Sequence, residues 1–140
     1  MKKPKIFIAC DTTNTKLIKK IISQTKTNKL RVGYKFGLEF LYTKKGRNFI
    51  SKIKNKSIFA DYKISDIPST SSAAIRSLKD LKNLSYITVH VSSGKECLKA
   101  VKKISKKTNK KLKVLGVTVL TSFSNSSIKE VGHTRSIKDI

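Results

Sequence analysis

The sequence predicts an α/β fold in which parallel strands alternate with helices. Short β-branched runs alternate with longer amphipathic stretches along the chain, a pattern that is typical of βαβ units joined by right-handed crossovers. The ends of the predicted strands recur about every 27 residues. Polar residues gather at these ends, which is where parallel α/β proteins bind their ligands.

Five runs rich in apolar and β-branched residues are predicted to be strands. In chain order they are Lys5–Cys10, Arg31–Phe36, Ser57–Lys63, Ser85–Val91 and Leu112–Leu120. Apolar residues at helical spacing predict a helix after each of the first four strands, and the start of another after the fifth. These helical patterns run from Leu17 to Ile22, from Leu38 to Ile53 with a break near Gly46, from Ala73 to Leu81, from Cys97 to Ile104, and over Ser126–Val131.

Two architectures fit this order of elements. One is a doubly wound sheet of five strands, and the other is the first five βα units of a (β/α)₈ barrel. Eight units of this length need roughly 216 residues, whereas the chain has 140. Length alone favours the doubly wound sheet, so the residues at the strand ends must decide.

The chain is strongly basic, with 32 Lys and Arg against 8 Asp and Glu and a formal net charge of +24. Such a charge attracts anions and is common in nucleic-acid-binding proteins. However, 28 of the cations are Lys, whereas bidentate recognition of bases and phosphates favours Arg. The lysines are also spread over many segments, as on solvated helix faces. We expect a phosphorylated substrate to be attracted, and no specific nucleic-acid partner.

Two further observations concern the cellular setting. The apolar run near the N-terminus is interrupted at once by Asp11, so we expect neither a signal peptide nor a membrane span. Cys10 and Cys97 are too few for a disulfide framework and too far apart in sequence for a metal-ligand pair. We therefore expect a reducing, cytoplasmic environment and no metal site.

Charged residues end the first three predicted strands. Asp11 follows the first strand, Lys35 lies near the end of the second, and Asp61 and Lys63 end the third. Asp61 and Lys63 are two residues apart, so both side chains should point to the same face. An isolated Asp-x-Lys pair would most simply be an ordinary ion pair at a strand end.

A second carboxylate makes the third strand end more specific. Asp66 follows in the next turn, before Pro68 at the expected helix start. We therefore expect the carboxylates of Asp61 and Asp66 within a few ångströms of the Lys63 ammonium. Together with Lys35, this gives two cations alternating with two anions, and such charge balance is what burial of an ionic array requires.

These segments resemble the orotidine 5'-monophosphate decarboxylase family. Asp61–Pro68 reads D-x-K-x-x-D-I-P, which is the signature of that family, with Ser65 where His is common. Ile8–Asp11 resembles its opening strand, and Tyr34–Phe40 resembles the second strand with its catalytic Lys. Matches to the fourth and fifth strands and their loops are Val89–Gly94, which includes His90, and Val117–Ser122.

The resemblance implies that residues 1–140 form one domain, an incomplete (β/α)₈ TIM barrel with outer helices that lacks strands six to eight. It also implies a homodimeric lyase that converts orotidine 5'-phosphate to UMP and CO₂ in pyrimidine biosynthesis, without cofactor or metal. The residues implied as catalytic are Lys35, Asp61, Lys63 and Asp66. Those implied to bind substrate are Asp11, Lys35, Thr70, Thr121 and Ser122.

Within this resemblance the residues have different roles. Lys63 would stabilise and then protonate the carbanion, and Asp66 would reach the site from the neighbouring subunit. The Gln and Arg with which the family holds the phosphate lie in later loops, so we expect residues 1–140 alone to be essentially inactive. Unpaired strand edges should also make this segment aggregate or pair with another copy.

Two alternatives remain at this stage. Sugar-phosphate decarboxylases or aldolases of the same superfamily share the D-x-K-x-x-D pattern but use a metal, and Ile67-Pro68 favours the pyrimidine enzyme. A five-stranded phosphoacceptor or binding domain would use Asp11, Asp61 and Ser92 at its strand ends. It would also need a Lys after the fifth strand, where this sequence has Thr121-Ser122.

Overall fold

The structure is a computed structural model that describes residues 5–134 and 136. Over this part of the chain, five parallel strands form one sheet in the order β1-β2-β3-β4-β5. The strands are β1 Lys5–Ala9, β2 Arg31–Phe36, β3 Ser57–Ile64, β4 Leu84–His90 and β5 Lys113–Val117. The helices are α1 Thr15–Gln24, α2 Leu38–Leu41, α3 Gly46–Ser51, α4 Pro68–Ser77, α5 Gly94–Thr108 and α6 Asn125–Glu130, with a 3₁₀ turn at Val91–Ser93.

The sequential strand order decides between the two architectures. A doubly wound sheet reverses its strand order at a switch point, whereas here every strand lies beside the next one in the chain. Right-handed crossovers between strands in this order put the helices on one side of the sheet. The described residues therefore form part of a (β/α)₈ barrel, as predicted, and the doubly wound alternative is wrong.

The helix-covered side of the sheet is the main core. Tyr34, Phe36, Ile58, Ile87 and Val89 alternate along β2, β3 and β4, and all five are fully buried. Each such side chain contributes about 1.5–3 kcal/mol when it leaves water. Burial on this side directs the intervening residues of the same strands toward the barrel interior.

An aromatic layer lies on the interior side of the sheet. The ring of Phe7 meets those of Phe59 and Tyr86 edge-on, with centroid distances of 5.6 and 5.2 Å. Gly33 on the intervening strand makes this possible, because a Cβ there would lie 2.5 Å from the Phe7 ring and 2.7 Å from the Ser57 carbonyl oxygen. The layer forms an apolar floor beneath the carboxyl ends of the strands.

Most predicted elements are confirmed, with shifts at their ends. The break expected near Gly46 separates α2 from α3. The fifth strand ends at Val117 instead of Leu120, because its partner β4 ends at His90, which pairs with Val117. The third predicted helix ends at Ser77, where the backbone leaves helical geometry before Leu81. Among the described residues, none of the helices combines the length and apolar character needed to cross a bilayer.

Candidate active site

Four charged side chains meet at the carboxyl ends of β1, β2 and β3, and we call them the charged cluster: Asp11, Lys35, Asp61 and Lys63. The Lys63 Nζ donates a hydrogen bond of 2.8 Å to Asp61 Oδ2. The Lys35 Nζ lies 3.8 Å from the same oxygen and 3.6 Å from Asp11 Oδ1. The sequence prediction that these strand ends come together is confirmed, and the charges alternate from Asp11 to Lys63.

Asp61 is the most buried member of the charged cluster. Its side chain is 13% exposed, against 28% for Lys35 and 35% for Lys63. Burial raises the pKa of Asp61, but hydrogen bonds from Lys63 and Thr88 and the charge of Lys35 outweigh it, so that pKa lies below its usual value. The carboxylate is therefore ionised at neutral pH although it is largely shielded from water.

Thr88 on β4 joins the two ends of the Asp61–Lys63 pair. Its Oγ1 donates a 2.8 Å hydrogen bond to Asp61 Oδ1 and accepts one of 2.8 Å from the backbone N–H of Lys63. Thr88 is 5% exposed. Sequence reasoning missed this residue. The available signal was its position two residues before His90, which places both on the same face of β4.

The backbone at Lys63 is unusual for a side-chain-bearing residue. Lys63 has a φ of 47°, in the left-handed region that is costly for residues with a Cβ. The register between β3 and β4 shifts over the same stretch, between Ala60 and Ile64. Strained backbone of this kind tends to occur at functional sites.

Asp66 does not join the charged cluster within one chain. Its Oδ1 accepts the backbone N–H of Ile67 at 2.7 Å, and the residue is exposed. Over the residues that the structure describes, it forms no ion pair with Lys35 or Lys63. The expected ion pair between Asp66 and Lys63 is thus not formed within one described chain, although both residues line the same cleft.

The remaining predicted substrate-binding residues lie at the rim of the barrel. Thr70 is exposed in the first turn of α4 and shares with Lys63 and Asp66 a cleft of about 510 Å³ that is also lined by Tyr42 and Arg47. Thr121 and Ser122 are exposed in the turn that follows β5. Within the described part of the chain, no hydrogen bond links these three residues to the charged cluster.

Cys10 lies beside the charged cluster and is fully buried. Burial and the neighbouring Asp11 charge raise the pKa of its thiol to about 11, against a lowering effect of Lys35. The thiol is thus neutral at physiological pH and behaves as a small apolar side chain. In the described ranges, no three His, Cys, Asp or Glu side chains are grouped so that they could hold a metal ion.

The charged cluster lies at the carboxyl ends of parallel strands in sequential order, which is where (β/α)₈-barrel enzymes have their active sites. The model of the Orotidine 5'-phosphate decarboxylase / HUMPS family matches residues 4–140. The chain belongs to this family, as the sequence motifs predict.

Curated relatives support this assignment. The orotidine 5'-phosphate decarboxylase of Idiomarina loihiensis is 34% identical over 131 residues, which are 92% of this chain and 55% of the relative. The enzyme of the same name from Wolbachia sp. subsp. Brugia malayi is 36% identical over 136 residues, covering 95% of this chain and 57% of that protein. The chain thus spans little more than half the length of these relatives.

Solved structures support the fold. The crystal structure of orotidine 5'-phosphate decarboxylase from Lactobacillus acidophilus matches with a TM-score of 0.85 and 28% identity, over 98% of this chain and 62% of that chain. The enzyme from Methanocaldococcus jannaschii, complexed with the inhibitor BMP, matches with a TM-score of 0.67 and 34% identity, over 83% and 52% of the two chains.

Proposed function

We propose that this chain supplies the charged cluster of an orotidine 5'-phosphate decarboxylase, which converts orotidine 5'-phosphate to UMP and CO₂ in pyrimidine biosynthesis without a cofactor. The observation that carries the proposal is the alternation Asp11–Lys35–Asp61–Lys63 at the strand ends. Membership of the family and the names of the curated relatives support the choice of substrate.

The reaction needs electrostatic stabilisation. When CO₂ leaves, the electrons of the broken C–C bond stay on a ring carbon, in the plane of the ring, where no delocalised electron sink receives them. The Lys63 ammonium would lie beside this carbon, stabilise the negative charge and donate the proton that forms the new C–H bond. Lys63 would then regain a proton from solvent.

Asp61 and Lys35 would set up this step. An ionised Asp61 would lie against the substrate carboxylate, and this repulsive contact would be relieved as neutral CO₂ forms. Lys35 is within ion-pair distance of both Asp61 and Asp11, so it would hold Asp61 while Asp11 binds the ribose. Thr70, Thr121 and Ser122 would contact the substrate at the barrel mouth.

The size of the required effect explains why the charges must act together. Each tenfold in rate needs about 1.4 kcal/mol of differential stabilisation. An exposed ion pair contributes only about 0.2–1 kcal/mol. A preorganised site that excludes water contributes far more, because its charges are already aimed at the place where charge develops. The partial burial of Asp61 between two cations is consistent with such a site.

We further propose that two copies associate and that each provides Asp66 to the other's site. Asp66 is exposed, and among the described residues it forms no ion pair with Lys63 of its own chain. Leu38 and Tyr42 line the same cleft as Asp66, and Ile67 follows it in the chain; these apolar residues are 39%, 79% and 62% exposed. An exposed apolar patch beside a charged group is typical of an interface.

The free, buried Cys10 and Cys97 fit a reducing compartment such as the cytoplasm.

A direct test joins residues 1–140 to the remaining barrel segment of the Idiomarina loihiensis relative; we call this protein the fusion. Loss of orotidine 5'-phosphate is followed by ultraviolet absorbance for the fusion and for residues 1–140 alone. We expect robust decarboxylation by the fusion and very little by residues 1–140, because the matched segment spans 55% of the relative.

The matched control is the fusion with Asp61→Asn, since only residues 1–140 supply the charged cluster. A fusion that is folded by circular dichroism but inactive would contradict the proposal, and so would activity that survives Asp61→Asn. Dependence of the activity on added magnesium would favour the alternative of a metal-using sugar-phosphate enzyme of the same superfamily.

A further inference from the structure

The side chain of Thr88, on the neighbouring strand β4, hydrogen-bonds to both members of the Asp61–Lys63 pair. The two carboxylate oxygens of Asp61 have different partners: Oδ1 accepts from Thr88, whereas Oδ2 faces the ammonium groups of Lys63 and Lys35. The carboxylate therefore cannot rotate without losing a hydrogen bond on one side. The same Thr88 oxygen also accepts the backbone N–H of Lys63.

We infer that Thr88 is a positioning residue for the charged cluster, whose hydroxyl fixes the orientation of Asp61 and the backbone of Lys63 before substrate binds. Thr88 does not touch the reacting atoms, and it acts through the two residues that do. The inference rests on the proposed function for its effect on catalysis. Its structural part, the control of Asp61 and Lys63, stands on the geometry of the described residues.

A hydroxyl is required for both contacts. Thr and Ser carry one O–H donor and two acceptor lone pairs, so a single oxygen can donate to Asp61 and accept from Lys63. Valine has the shape of threonine but neither function. Because Thr88 is 5% exposed, water is poorly placed to replace the lost hydroxyl, and both Asp61 Oδ1 and the Lys63 N–H would lack a partner.

The contact to Lys63 explains how its unusual backbone persists. Residues in the left-handed region are retained where the surrounding structure holds them, and the Thr88 hydroxyl accepts the N–H of this residue. Releasing it allows the end of β3 to relax toward ordinary strand geometry. The Lys63 ammonium would then move relative to the substrate, and a misplacement of about 1 Å can lower a rate about 100-fold.

Several groups face Asp61 and must be considered in any titration. Lys63 lies on the same strand, Lys35 faces it from β2, and Asp11 follows β1 on the far side of Lys35. His90 lies two residues beyond Thr88 on the same face of β4. None of these residues is altered in the variants below, so a difference between variants reports on the hydroxyl.

The first arm of the test uses residues 1–140 and does not depend on activity. The carboxyl carbon of Asp61 is titrated by NMR in the unmodified chain and in Thr88→Val, Thr88→Ser and Thr88→Ala. Ser and Ala both lack the γ-methyl and differ only in the hydroxyl. We expect a higher pKa of Asp61 in the Val and Ala variants, and an unchanged one in the Ser variant. Equal titration of the Ser and Ala variants would overturn the inference.

The second arm measures catalysis in the fusion. We expect Thr88→Val to lower kcat about 10- to 100-fold with little change in KM, and Thr88→Ser to remain within about threefold of the unmodified fusion. A Thr88→Val fusion with unchanged kcat would overturn the catalytic part. If Thr88→Val fails to fold, the Ala and Ser pair is compared in the same way. An inactive unmodified fusion would count against the proposed function, while the titration would still decide the role of Thr88.

Discussion

Two carboxylates of this protein, Asp61 and Asp80, both have a pKa below the usual value, yet their surroundings differ. Asp61 is 13% exposed and lies among Thr88 and two lysines on neighbouring strands. Asp80 is 51% exposed and pairs with Arg47 of α3, whose Nε donates to it at 3.1 Å. A hydrogen bond from Arg47 is the main reason for the lowered pKa of Asp80.

The difference shows that a lowered pKa alone does not mark an active site. At Asp80, burial raises the pKa only slightly, so the hydrogen bond from Arg47 lowers it with little opposition. Arg47 also donates to the Ser77 carbonyl, so this ion pair links α3 to the end of α4. At Asp61 the lowering overcomes burial, which is the largest single influence on that group. A carboxylate kept ionised while shielded from water is the one suited to electrostatic catalysis.

The largest expected effect comes from the same substitution at the two carboxylates. Asp61→Asn in the fusion should lower kcat about 10³-fold or more, because a preorganised charge is lost at the reacting centre. Asp80→Asn, the matched control, should leave kcat within about twofold, because exposed ion pairs contribute little. Initial rates of absorbance change measure both. Similar losses of kcat in the two variants would show that Asp61 is no more important for catalysis than the exposed Asp80.

A mixing experiment tests the third carboxylate, Asp66. Lys63→Ala and Asp66→Asn fusions should each be nearly inactive. If two copies share their sites, a mixed dimer contains one intact site, and an equal mixture should recover about a quarter of the unmodified activity. Recovery is measured after dissociation and reassociation of the two variants. A mixture no more active than its components would show that Asp66 does not act across subunits.

Acid unfolding should separate the two carboxylates through their pH and salt dependence. A carboxyl group with a lowered pKa in the folded state stabilises above its unfolded pKa of about 3.9, and this stability is lost as pH falls through the folded pKa. Urea midpoints of residues 1–140 should therefore fall less between pH 5 and pH 2 in Asp61→Asn than in the unmodified chain. Asp80→Asn should also show a smaller fall of the urea midpoint than the unmodified chain at low salt. In about 1 M salt, which screens exposed ion pairs, the two proteins should show the same fall. Parallel curves for Asp61→Asn and the unmodified chain would contradict the account.

The smallest expected effect concerns backbone strain at the site. Lys63 and Asn55 both have positive φ, at 47° and 58°, but Asn tolerates this region far better than Lys. Lys63→Gly should be more stable than Lys63→Ala by about 1 kcal/mol, whereas Asn55→Gly should change stability little. Thermal or urea unfolding of the three variants provides the values. Equal stability of the Gly and Ala variants at position 63 would argue against strain there.

Much of the fold and part of the site could be predicted from the sequence. Hydrophobic periodicity located the strands and helices, and polar residues at strand ends identified Asp11, Lys35, Asp61 and Lys63. Those residues meet because parallel strands bring their carboxyl ends to one edge of the sheet. The parallel arrangement itself was predicted from the alternation of strands and helices along the sequence.

Other features depend on geometry between distant segments. The hydrogen bond between Thr88 and Asp61 depends on the register of β3 against β4. That register shifts between Ala60 and Ile64, and the local sequence does not predict the shift. The left-handed conformation of Lys63 was not indicated by its spacing from Asp61, and the expected ion pair between Asp66 and Lys63 is not formed among the described residues. The bridge from Arg47 to Asp80 joins residues 33 positions apart, and the end of β5 was set by its partner strand.

We propose that the Lys63 ammonium, held by Asp61, donates the proton that replaces the departing CO₂. The most direct measurement is CO₂ release from orotidine 5'-phosphate by the Lys63→Ala fusion, with binding of the substrate measured in parallel by calorimetry. We expect the variant to bind orotidine 5'-phosphate but to release no CO₂ above the uncatalysed background. Release within about tenfold of the unmodified fusion would contradict it.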